Sequence, residues 1–272
     1  MKKPSGQGLK SLGNPQIIKP QKQLGQHWLR QKNVINKIIN AGNLEKTDLV
    51  IEIGPGLGDL TKELAQKSGK VIAIEKDLNL VPDLKNNLQG FKNIEIVVGD
   101  ALKTSFENFK DYKVIANLPY YAATHIIRRF LELANKPELM VLMVQKEVGQ
   151  RICSQPPNMT LLAVSVQIYA DAKIVDYVSK QAFWPKPKID SAIIRLGPRN
   201  PELKFDKILF FKIVRAGFSQ PRKQLINNLA SGLGLPKSQI KDWLLKNKLR
   251  LDTRAESLSL ENWLGLAKTF AS

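Results

Sequence analysis

The sequence is poor in the residues that build metal centres and covalent cross-links. It contains one cysteine, Cys153, and two histidines among 272 residues. A single thiol cannot form a disulfide within the chain, and this set of residues is too small for a structural zinc site. We therefore expect neither disulfides nor a bound metal. We interpret Cys153 as a packed small residue rather than a nucleophile, because no activating neighbour is evident.

Long apolar segments are also missing. No run of about 18 apolar residues is present, and the stretch MKKPSGQGLK at the start carries cations without an apolar segment behind them. These absences predict a soluble, cytoplasmic protein that does not span a membrane. With 43% hydrophobic and 24% charged residues, the composition is that of an ordinary globular protein.

Positive charge is concentrated at the two ends of the chain. Residues 1–40 contain eight Lys or Arg and no acid, and residues 199–272 contain fourteen basic and six acidic residues. Each end thus carries +8 of the formal net charge of +18, which leaves +2 between them. This distribution indicates a polyanionic partner such as nucleic acid, because neutralised phosphates release counterions. A solvated basic surface or attraction to an anionic membrane is the alternative.

Apolar periodicity divides the chain into three parts. Residues 1–23 are rich in Gly, Pro, Gln and Lys without periodicity, which predicts a flexible basic arm. Short β-branched runs then alternate with helical patterns, as is typical of a mostly parallel sheet covered by helices on both faces. Beyond a Gly/Pro-rich break at 197–203 the spacing is helical only. We predict an α/β domain over 24–199 and a small helical, basic domain over 200–272.

The predicted elements can be placed along the chain. Parallel strands are predicted at LVIEI, KVIAIE, IEIVVGD, YKVIANL and ELMVLMV, and an antiparallel closing pair near residues 167–175 and 191–196. Helices are predicted from Asn33 and over residues 57–67, 78–88, 125–134 and 160–166. Ligands of such sheets bind beyond the carboxyl ends of the strands, so the residues at those ends are the candidates for a functional site.

A glycine-rich turn follows the first predicted strand. Residues 50–58 read VIEIGPGLG, a strand that runs into a turn and then a helix. Glycines there let the backbone approach a ligand, although tight packing of helix on strand would also favour them. A dinucleotide site would need glycine where this chain has Asp59, and no Walker-type Gly-Lys-Ser/Thr follows. The spacing favours a nucleoside ligand without pyrophosphate.

Acidic residues stand at the ends of the next two predicted strands. Glu75 ends the second strand, where a carboxylate can accept both hydroxyls of a ribose. Asp100 follows the third strand and can accept from an adenine amine, while the backbone N–H of Ala101 can donate to the ring. Each acid alone could be a solvated charge or a helix cap. Acceptors at successive ends of one sheet indicate a shared ligand.

The fourth predicted strand ends in Asn117-Leu118-Pro119-Tyr120, the most specific pattern in the chain. A plain turn is one interpretation, since Asn and Pro favour turns. The other interpretation is catalytic. The N6 amine of adenine is a poor nucleophile because its lone pair is delocalised, and acceptance of its protons by the Asn117 amide oxygen and a backbone carbonyl near Pro119 would free that lone pair. Tyr120 would stack on the unstacked base, and positioning would do most of the work.

Taken in order, these motifs resemble the class I N6-adenine methyltransferases, and more narrowly the KsgA-type dimethyladenosine transferases of small-subunit ribosomal RNA. The resemblance runs from about Leu24 to Leu229 and includes LGQHWL, VQKEVGQRI, FWPKPKIDSAIIRL and FSQPRKQLINNL. It implies a Rossmann-like fold, a helical RNA-binding C-terminal domain and S-adenosylmethionine as cofactor. It also implies dimethylation of two adjacent adenosines in the 3′-terminal hairpin of 16S rRNA, by a monomer acting on an immature small ribosomal subunit.

The resemblance also implies roles for individual residues. Residues expected to contact the cofactor are His27, Leu29, Gly54, Gly56, Glu75, Asp100, Ala101 and Asn117. Residues expected to hold the target base are Asn117, Pro119 and Tyr120, with Phe183 as a second stacking surface. The chain departs from the family pattern by having His27 and Trp28 in place of Asn and Phe, Ala116 in place of Gly, and Pro221 in place of one of two arginines.

Other functions remain open on the sequence. A 23S rRNA adenine-N6 methylase of the macrolide-resistance type shares the chemistry, but PKPKIDSAIIRL and the basic C-terminal part favour the small-subunit enzyme. A non-catalytic RNA-binding assembly factor would not need Glu75 together with Asn117, Pro119 and Tyr120. A nicotinamide oxidoreductase is disfavoured by the glycine spacing.

Overall fold

The computed structural model describes residues 26–199 and 205–270, so the predicted basic arm over 1–23 lies outside the described residues. The strands are β1 Trp28–Leu29, β2 Leu49–Ile53, β3 Lys70–Glu75, β4 Ile94–Val98, β5 Tyr112–Asn117, β6 Leu139–Gln145, β7 Ala170–Val178, β8 Phe183–Trp184 and β9 Ser191–Pro198. The helices are α1 Lys32–Gly42, α2 Asp59–Lys67, α3 Val81–Asn87, α4 Ala123–Glu132, α5 Lys146–Ile152, α6 Leu161–Gln167, α7 Lys207–Gly217, α8 Leu225–Leu233, α9 Lys237–Lys246 and α10 Leu260–Thr269.

A single large sheet forms the centre of the first part. Its strand order is β4-β3-β2-β5-β6-β9-β7, and β4, β3, β2, β5 and β6 are parallel. Strand β9 is antiparallel to both β6 and β7, so the predicted closing pair is confirmed. From β2 the chain adds β3 and then β4 on one side of β2. It then crosses back and adds β5 on the other side of β2. The crevice at this switch point is where an α/β sheet binds its ligands.

Alternating side chains of the strands bury both faces of the sheet. Ile51 and Ile53 of β2 belong to an apolar core with α4, whereas Val50 between them belongs to a second core with α1 and α2. Two-sided burial explains why these strands read as continuous apolar runs in the sequence. The predicted mostly parallel α/β fold with antiparallel closing strands is confirmed.

The last part of the chain is helical, as the spacing predicted. Helices α7, α8, α9 and α10 surround Trp263, whose side chain is fully buried. Asp206 caps α7 through its side chain, and a reciprocal capping box of Ser259 and Asn262 begins α10. The same core includes Ala163 and Val164 of α6, so the helical unit packs directly onto the sheet unit. A domain boundary near residue 199 stays a prediction.

A short ribbon crosses the end of the large sheet. Strands β1 and β8 form a separate antiparallel pair in which Trp28 lies opposite Trp184 and Leu29 opposite Phe183. The backbone N–H of Arg30 also donates to the carbonyl of Ala182 at 3.0 Å. This ribbon was not predicted. It holds the N-terminal segment beside the carboxyl ends of β2 and β5.

Candidate active site

One cleft opens beyond the carboxyl ends of the parallel strands, beside the switch point between β2 and β5. It is lined by the ends of β2, β3 and β5, by the loop after β4, and by the segment that contains β1. The residues predicted from sequence that the structure brings together there are His27, Leu29, Gly54, Gly56, Glu75, Asp100, Ala101, Asn117, Pro119 and Tyr120. Phe183 is not among the lining residues.

The glycine-rich turn after β2 has a backbone that other residues rarely adopt. Gly54 and Gly56 have φ values of +68° and +60°, in the left-handed region where a Cβ is disfavoured. A Cβ on Gly54 would meet only the Pro119 ring, at 3.9 Å, and otherwise open cleft. A Cβ on Gly56 would lie 2.7 Å from Cδ1 of Trp28. Gly54 therefore exposes bare backbone to the cleft, whereas Gly56 is covered by the Trp28 indole.

Glu75 at the end of β3 is oriented by the backbone around it. Its carboxylate accepts from the N–H of Gly56 at 3.1 Å and from the N–H of Asp77 at 2.8 Å. Burial raises the pKa of this carboxyl above its usual value, while those backbone donors act in the opposite direction. Each carboxylate oxygen keeps acceptor capacity, so a ribose with two hydroxyls fits this position.

Asp100 lies at the neighbouring strand end, after β4. Its Oδ1 accepts from the backbone N–H of Leu102 at 2.9 Å, and its Oδ2 pairs with Nζ of Lys76 at the same separation, 2.9 Å. The Leu102 N–H, followed by the Lys76 ammonium, lowers the pKa of Asp100, so the group is a carboxylate and an acceptor at neutral pH. Sequence reasoning missed Lys76, although it directly follows Glu75.

The Asn117 amide is fixed by a residue far away in sequence. Its Nδ2 donates to the backbone carbonyl of His27 at 3.0 Å, which leaves Oδ1 as the free acceptor of this amide. The next two backbone carbonyls differ. That of Pro119 accepts from the N–H of Ala122 at 3.0 Å, whereas that of Leu118 accepts no hydrogen bond within the described parts of the chain. Asn117 Oδ1 and the Leu118 carbonyl therefore form the available acceptor pair.

Tyr120 forms one wall of the cleft. Its hydroxyl shares a hydrogen bond of 2.7 Å with Ser191 Oγ at the start of β9, and its ring lies 5.7 Å from that of His27. Burial raises the pKa of the Tyr120 phenol, so the group stays neutral. Ser191 therefore fixes the hydroxyl end of the Tyr120 ring. The sequence analysis did not name Ser191, although its position in the DSAIIRL stretch could have pointed to it.

Phe183 lies outside the lining of the cleft, and its role as a second stacking surface stays a prediction. Its side chain is buried in the core between the sheet and α1, together with Leu29. Register explains this, because neighbouring residues of β8 point to opposite faces. The adjacent Trp184 is the exposed ring; it stacks on Trp28 with centroids 5.4 Å apart and lies under the Arg30 guanidinium at 4.8 Å. Phe183 thus supports the ribbon from the core in this structure.

His27 is held by the ribbon rather than by the sheet. Its Nδ1 lies 2.7 Å from the carbonyl of Pro185, so Nδ1 carries the proton and donates, and Nε2 is the second ring nitrogen available for hydrogen bonding. The Asn that the family pattern has at this position would also supply a hydrogen-bonding group. Replacement by His27 therefore keeps a polar group at the border of the cleft.

A second buried carboxyl lies beneath the glycine turn. Glu52 in β2 is 2% exposed, and its Oε2 has no hydrogen-bond partner among the described residues. Burial raises the pKa of Glu52 to about 8, and the nearby carboxyl of Glu75 contributes in the same direction. Glu52 is therefore a neutral acid at neutral pH in this structure.

The donor set of the cleft fits S-adenosylmethionine. Glu75 offers a ribose acceptor, Asp100 and the N–H of Ala101 can read an adenine edge, and Gly54 leaves space where a side chain would project. Within residues 26–199 and 205–270 no group of His, Cys, Asp and Glu could hold a metal ion. In the same described ranges, no helix is both long and apolar enough to cross a lipid bilayer.

Comparison with known proteins agrees with this geometry. The family described as "Ribosomal RNA adenine dimethylase" matches residues 17–272. A protein of Dehalococcoides mccartyi strain CBDB1 called ribosomal RNA small subunit methyltransferase A is 43% identical over 260 residues, covering 93% of this chain and 89% of its own. The protein of the same name from Pelotomaculum thermopropionicum is 39% identical and covers 93% of this chain and 92% of its own.

Solved structures give the same result. A dimethyladenosine transferase from Plasmodium falciparum superposes with a TM-score of 0.76 at 28% identity, covering 90% of this chain and 97% of its own. The 23S rRNA methyltransferase ErmE superposes with a TM-score of 0.74 at 25% identity, covering 89% of this chain and 98% of its own. These matches confirm the Rossmann-like methyltransferase fold, the enzyme class and S-adenosylmethionine as cofactor. The chain belongs to the ribosomal RNA adenine dimethylase family.

Proposed function

We propose that this protein transfers methyl groups from S-adenosylmethionine to N6 of two adjacent adenosines in the 3′-terminal hairpin of 16S rRNA, giving N6,N6-dimethyladenosine. It acts as a cytoplasmic monomer on an immature small ribosomal subunit. The observation that carries the chemistry is the fixed Asn117 amide, whose Nδ2 is held by the His27 carbonyl while Oδ1 stays free. The small-subunit assignment is supported by relatives 43% and 39% identical to this chain, against 25% for the 23S enzyme.

The cleft residues act by positioning and hydrogen bonding. The cofactor, when bound, supplies an electrophilic methyl group on its sulfonium. Asn117 Oδ1 and the Leu118 carbonyl accept hydrogen bonds from the two N–H groups of the adenine amine, which concentrates the lone pair on nitrogen and aims it out of the ring plane. Tyr120 holds the extruded base, and the tie from its hydroxyl to Ser191 fixes the ring. The methylated amine then loses a proton to water, so no buried general base is needed.

Removal of the Asn117 acceptor tests the chemistry. We expect Asn117→Ala to lower the rate of methyl transfer roughly 10²- to 10³-fold, the usual loss when one hydrogen bond to a reacting group is removed. Asn117→Asp, which keeps an acceptor oxygen, should retain more activity than Asn117→Ala. The assay is single-turnover transfer of tritiated methyl groups to purified immature small subunits. Asn158→Ala, at an exposed turn outside the cleft, is the matched control.

The product identifies the substrate. Mass spectrometry of rRNA from cells that lack this protein should show the loss of dimethyladenosine from the 3′-terminal hairpin of 16S rRNA. Loss from 23S rRNA instead would assign the chain to the macrolide-resistance type. Tight binding to immature subunits without any methyl transfer would assign it a non-catalytic assembly role. Full activity of Asn117→Ala would refute the mechanism.

A further inference from the structure

A stack of three flat side chains stands on the β1–β8 ribbon beside the cleft. Trp28 is its inner member; it is 7% exposed and lines the cleft over Gly56. Trp184 packs on Trp28 with ring centroids 5.4 Å apart, yet it stays 41% exposed. The guanidinium of Arg30, an exposed residue, lies over the Trp184 ring at 4.8 Å from the ring centroid. We call Trp28, Trp184 and Arg30 the tryptophan platform.

Other side chains attach the ribbon to the sheet unit. Leu29 and Phe183 point to the opposite face of the ribbon and are buried in the core with α1. The backbone N–H of Arg30 donates to the carbonyl of Ala182 at 3.0 Å. The ribbon is therefore held from its inner face, and the outer surface of Trp184 is accessible to a ligand.

The surface around the tryptophan platform is cationic. Segment 179–190 reads SKQAFWPKPKID and contains three lysines and one acid. That acid, Asp190, accepts from a backbone N–H of its own segment at 3.0 Å. The exposed residues Arg30, Lys186 and Lys188 form no ion pair in the part of the chain that the structure describes. An accessible ring among such cations suits a nucleotide, which brings a base to stack and a phosphate to pair.

Direct contacts connect the tryptophan platform with the wall of the cleft that holds the target base. The ring of Tyr120 lies 5.7 Å from that of His27, and His27 Nδ1 donates to the carbonyl of Pro185 at 2.7 Å. Pro185 directly follows Trp184 in the chain, and His27 directly precedes Trp28. A base that enters the cleft beside Tyr120 therefore leaves the next nucleotide of its strand outside the cleft, on the side of the platform.

We propose that the tryptophan platform stacks the nucleotide next to the target adenosine and thereby positions the target in the cleft. This proposal rests on the proposed function and adds the contact that selects the neighbouring nucleotide. Aromatic rings and guanidinium planes are the surfaces on which proteins stack unpaired bases. A purine overlaps them over a larger area than a pyrimidine does, so a neighbouring adenosine suits the platform. Arg30 and Trp184 are positioning residues, because neither lines the cleft.

Binding to matched hairpin RNAs tests the platform. The probe is an unmodified hairpin with two adjacent adenosines in its loop. Two comparison hairpins carry an abasic site in place of the first or the second adenosine, so one of them leaves the platform without a base. The full-length protein is titrated in the presence of S-adenosylhomocysteine, which has no methyl group to transfer. We expect W184A to bind the intact hairpin roughly 10-fold more weakly than the wild type does. With one of the abasic hairpins that difference should disappear.

Two further variants separate stacking from support of the ribbon. W184F keeps a ring and should bind the intact hairpin nearly as tightly as the wild type. It should lose most of the quenching of tryptophan fluorescence that the hairpin causes. R30Q removes the flat cation, leaves both tryptophans in place and should weaken binding several-fold. Tyr177→Ala is the matched control, because Tyr177 is an exposed ring with the Lys146 ammonium at 5.3 Å and lies outside the cleft lining. This control should bind all three hairpins as the wild type does.

Melting temperatures and calorimetric binding of S-adenosylhomocysteine should equal those of the wild type in every variant. If W184A displaces the ribbon, R30Q supplies the same comparison. Equal weakening of binding to all three hairpins would overturn the proposal. Unchanged affinity of both W184A and R30Q for the intact hairpin would also overturn it, and weaker binding to whole subunits in that case would assign the platform to a protein. Because no methyl transfer is measured, the expected hairpin affinities without activity in the tritium assay would refute the proposed function alone.

Discussion

The buried carboxyl of Glu52 makes the stability of this protein depend on pH in a predictable direction. Burial raises the pKa of Glu52 from 4.5 to about 8 in the folded protein. In the unfolded chain the same group ionises near its ordinary value. Between these two pH values the folded state therefore holds a proton that the unfolded state has lost. The contribution of Glu52 to stability is full below about pH 4.5 and is lost as the pH rises towards 8.

The size of the effect follows from the two pKa values. Each tenfold difference in proton affinity is worth about 1.4 kcal/mol, so the interval from 4.5 to about 8 corresponds to ~5 kcal/mol. Water entering the core would reduce this figure, which makes it an upper bound. Glu52→Gln keeps the shape of the side chain and cannot ionise. The variant should gain stability relative to the wild type as the pH rises.

The measurement is urea unfolding followed by circular dichroism for both proteins at pH 5, 6, 7 and 8.5. Contributions from groups that do not interact with Glu52 cancel in the difference between the two free energies of unfolding. We expect that difference to change by several kcal/mol across the range. Glu95→Gln, a control at a surface ion pair with Lys70, should run parallel to the wild type. A difference between Glu52→Gln and wild type that does not vary with pH would show that Glu52 is ionised in the folded state.

Two further predictions concern glycines. Gly56→Ala should weaken cofactor binding, measured by calorimetry, and lower the free energy of unfolding by ~1–2 kcal/mol. The φ of +60° at Gly56 disfavours a Cβ, and the added Cβ would also press on Trp28. Gly90→Ala, with open space around it, is the control, and equal affinities of the two variants would contradict the assignment. Gly217→Ala places a Cβ 2.4 Å from Cη2 of Trp263. It should lower the free energy of unfolding by ~1–3 kcal/mol, and an unchanged melting curve would argue against the tight packing.

The sheet and most of its site were predictable because both depend on local patterns. Strand β2 matches the predicted LVIEI, and β3 matches KVIAIE, since buried parallel strands read as unbroken apolar runs. The candidate site residues at these strand ends were predictable for the same reason. Parallel strands deliver their carboxyl ends to one edge, so Glu75, Asp100 and Asn117 had to be neighbours if the strands were right.

What the sequence could not provide depends on contacts between distant segments. The β1–β8 ribbon consists of two-residue strands joined across more than 150 positions, and no period can reveal so short a pair. The tie from Asn117 to His27 and the burial of Phe183 both depend on that ribbon. Helix α5 was missed because its seven residues follow β6 without a break, leaving no room for a separate helical pattern.

The core shared by α6 and the C-terminal helices has a consequence for how this protein can be dissected. A cut at the Gly/Pro-rich stretch after β9 would strip cover from Ala163, Val164 and Ile168, all of which are buried against α7 and its neighbours. A shortened fragment without these helices would therefore expose an apolar surface to solvent and tend to self-associate. The C-terminal helices therefore complete the apolar core of the part that precedes them.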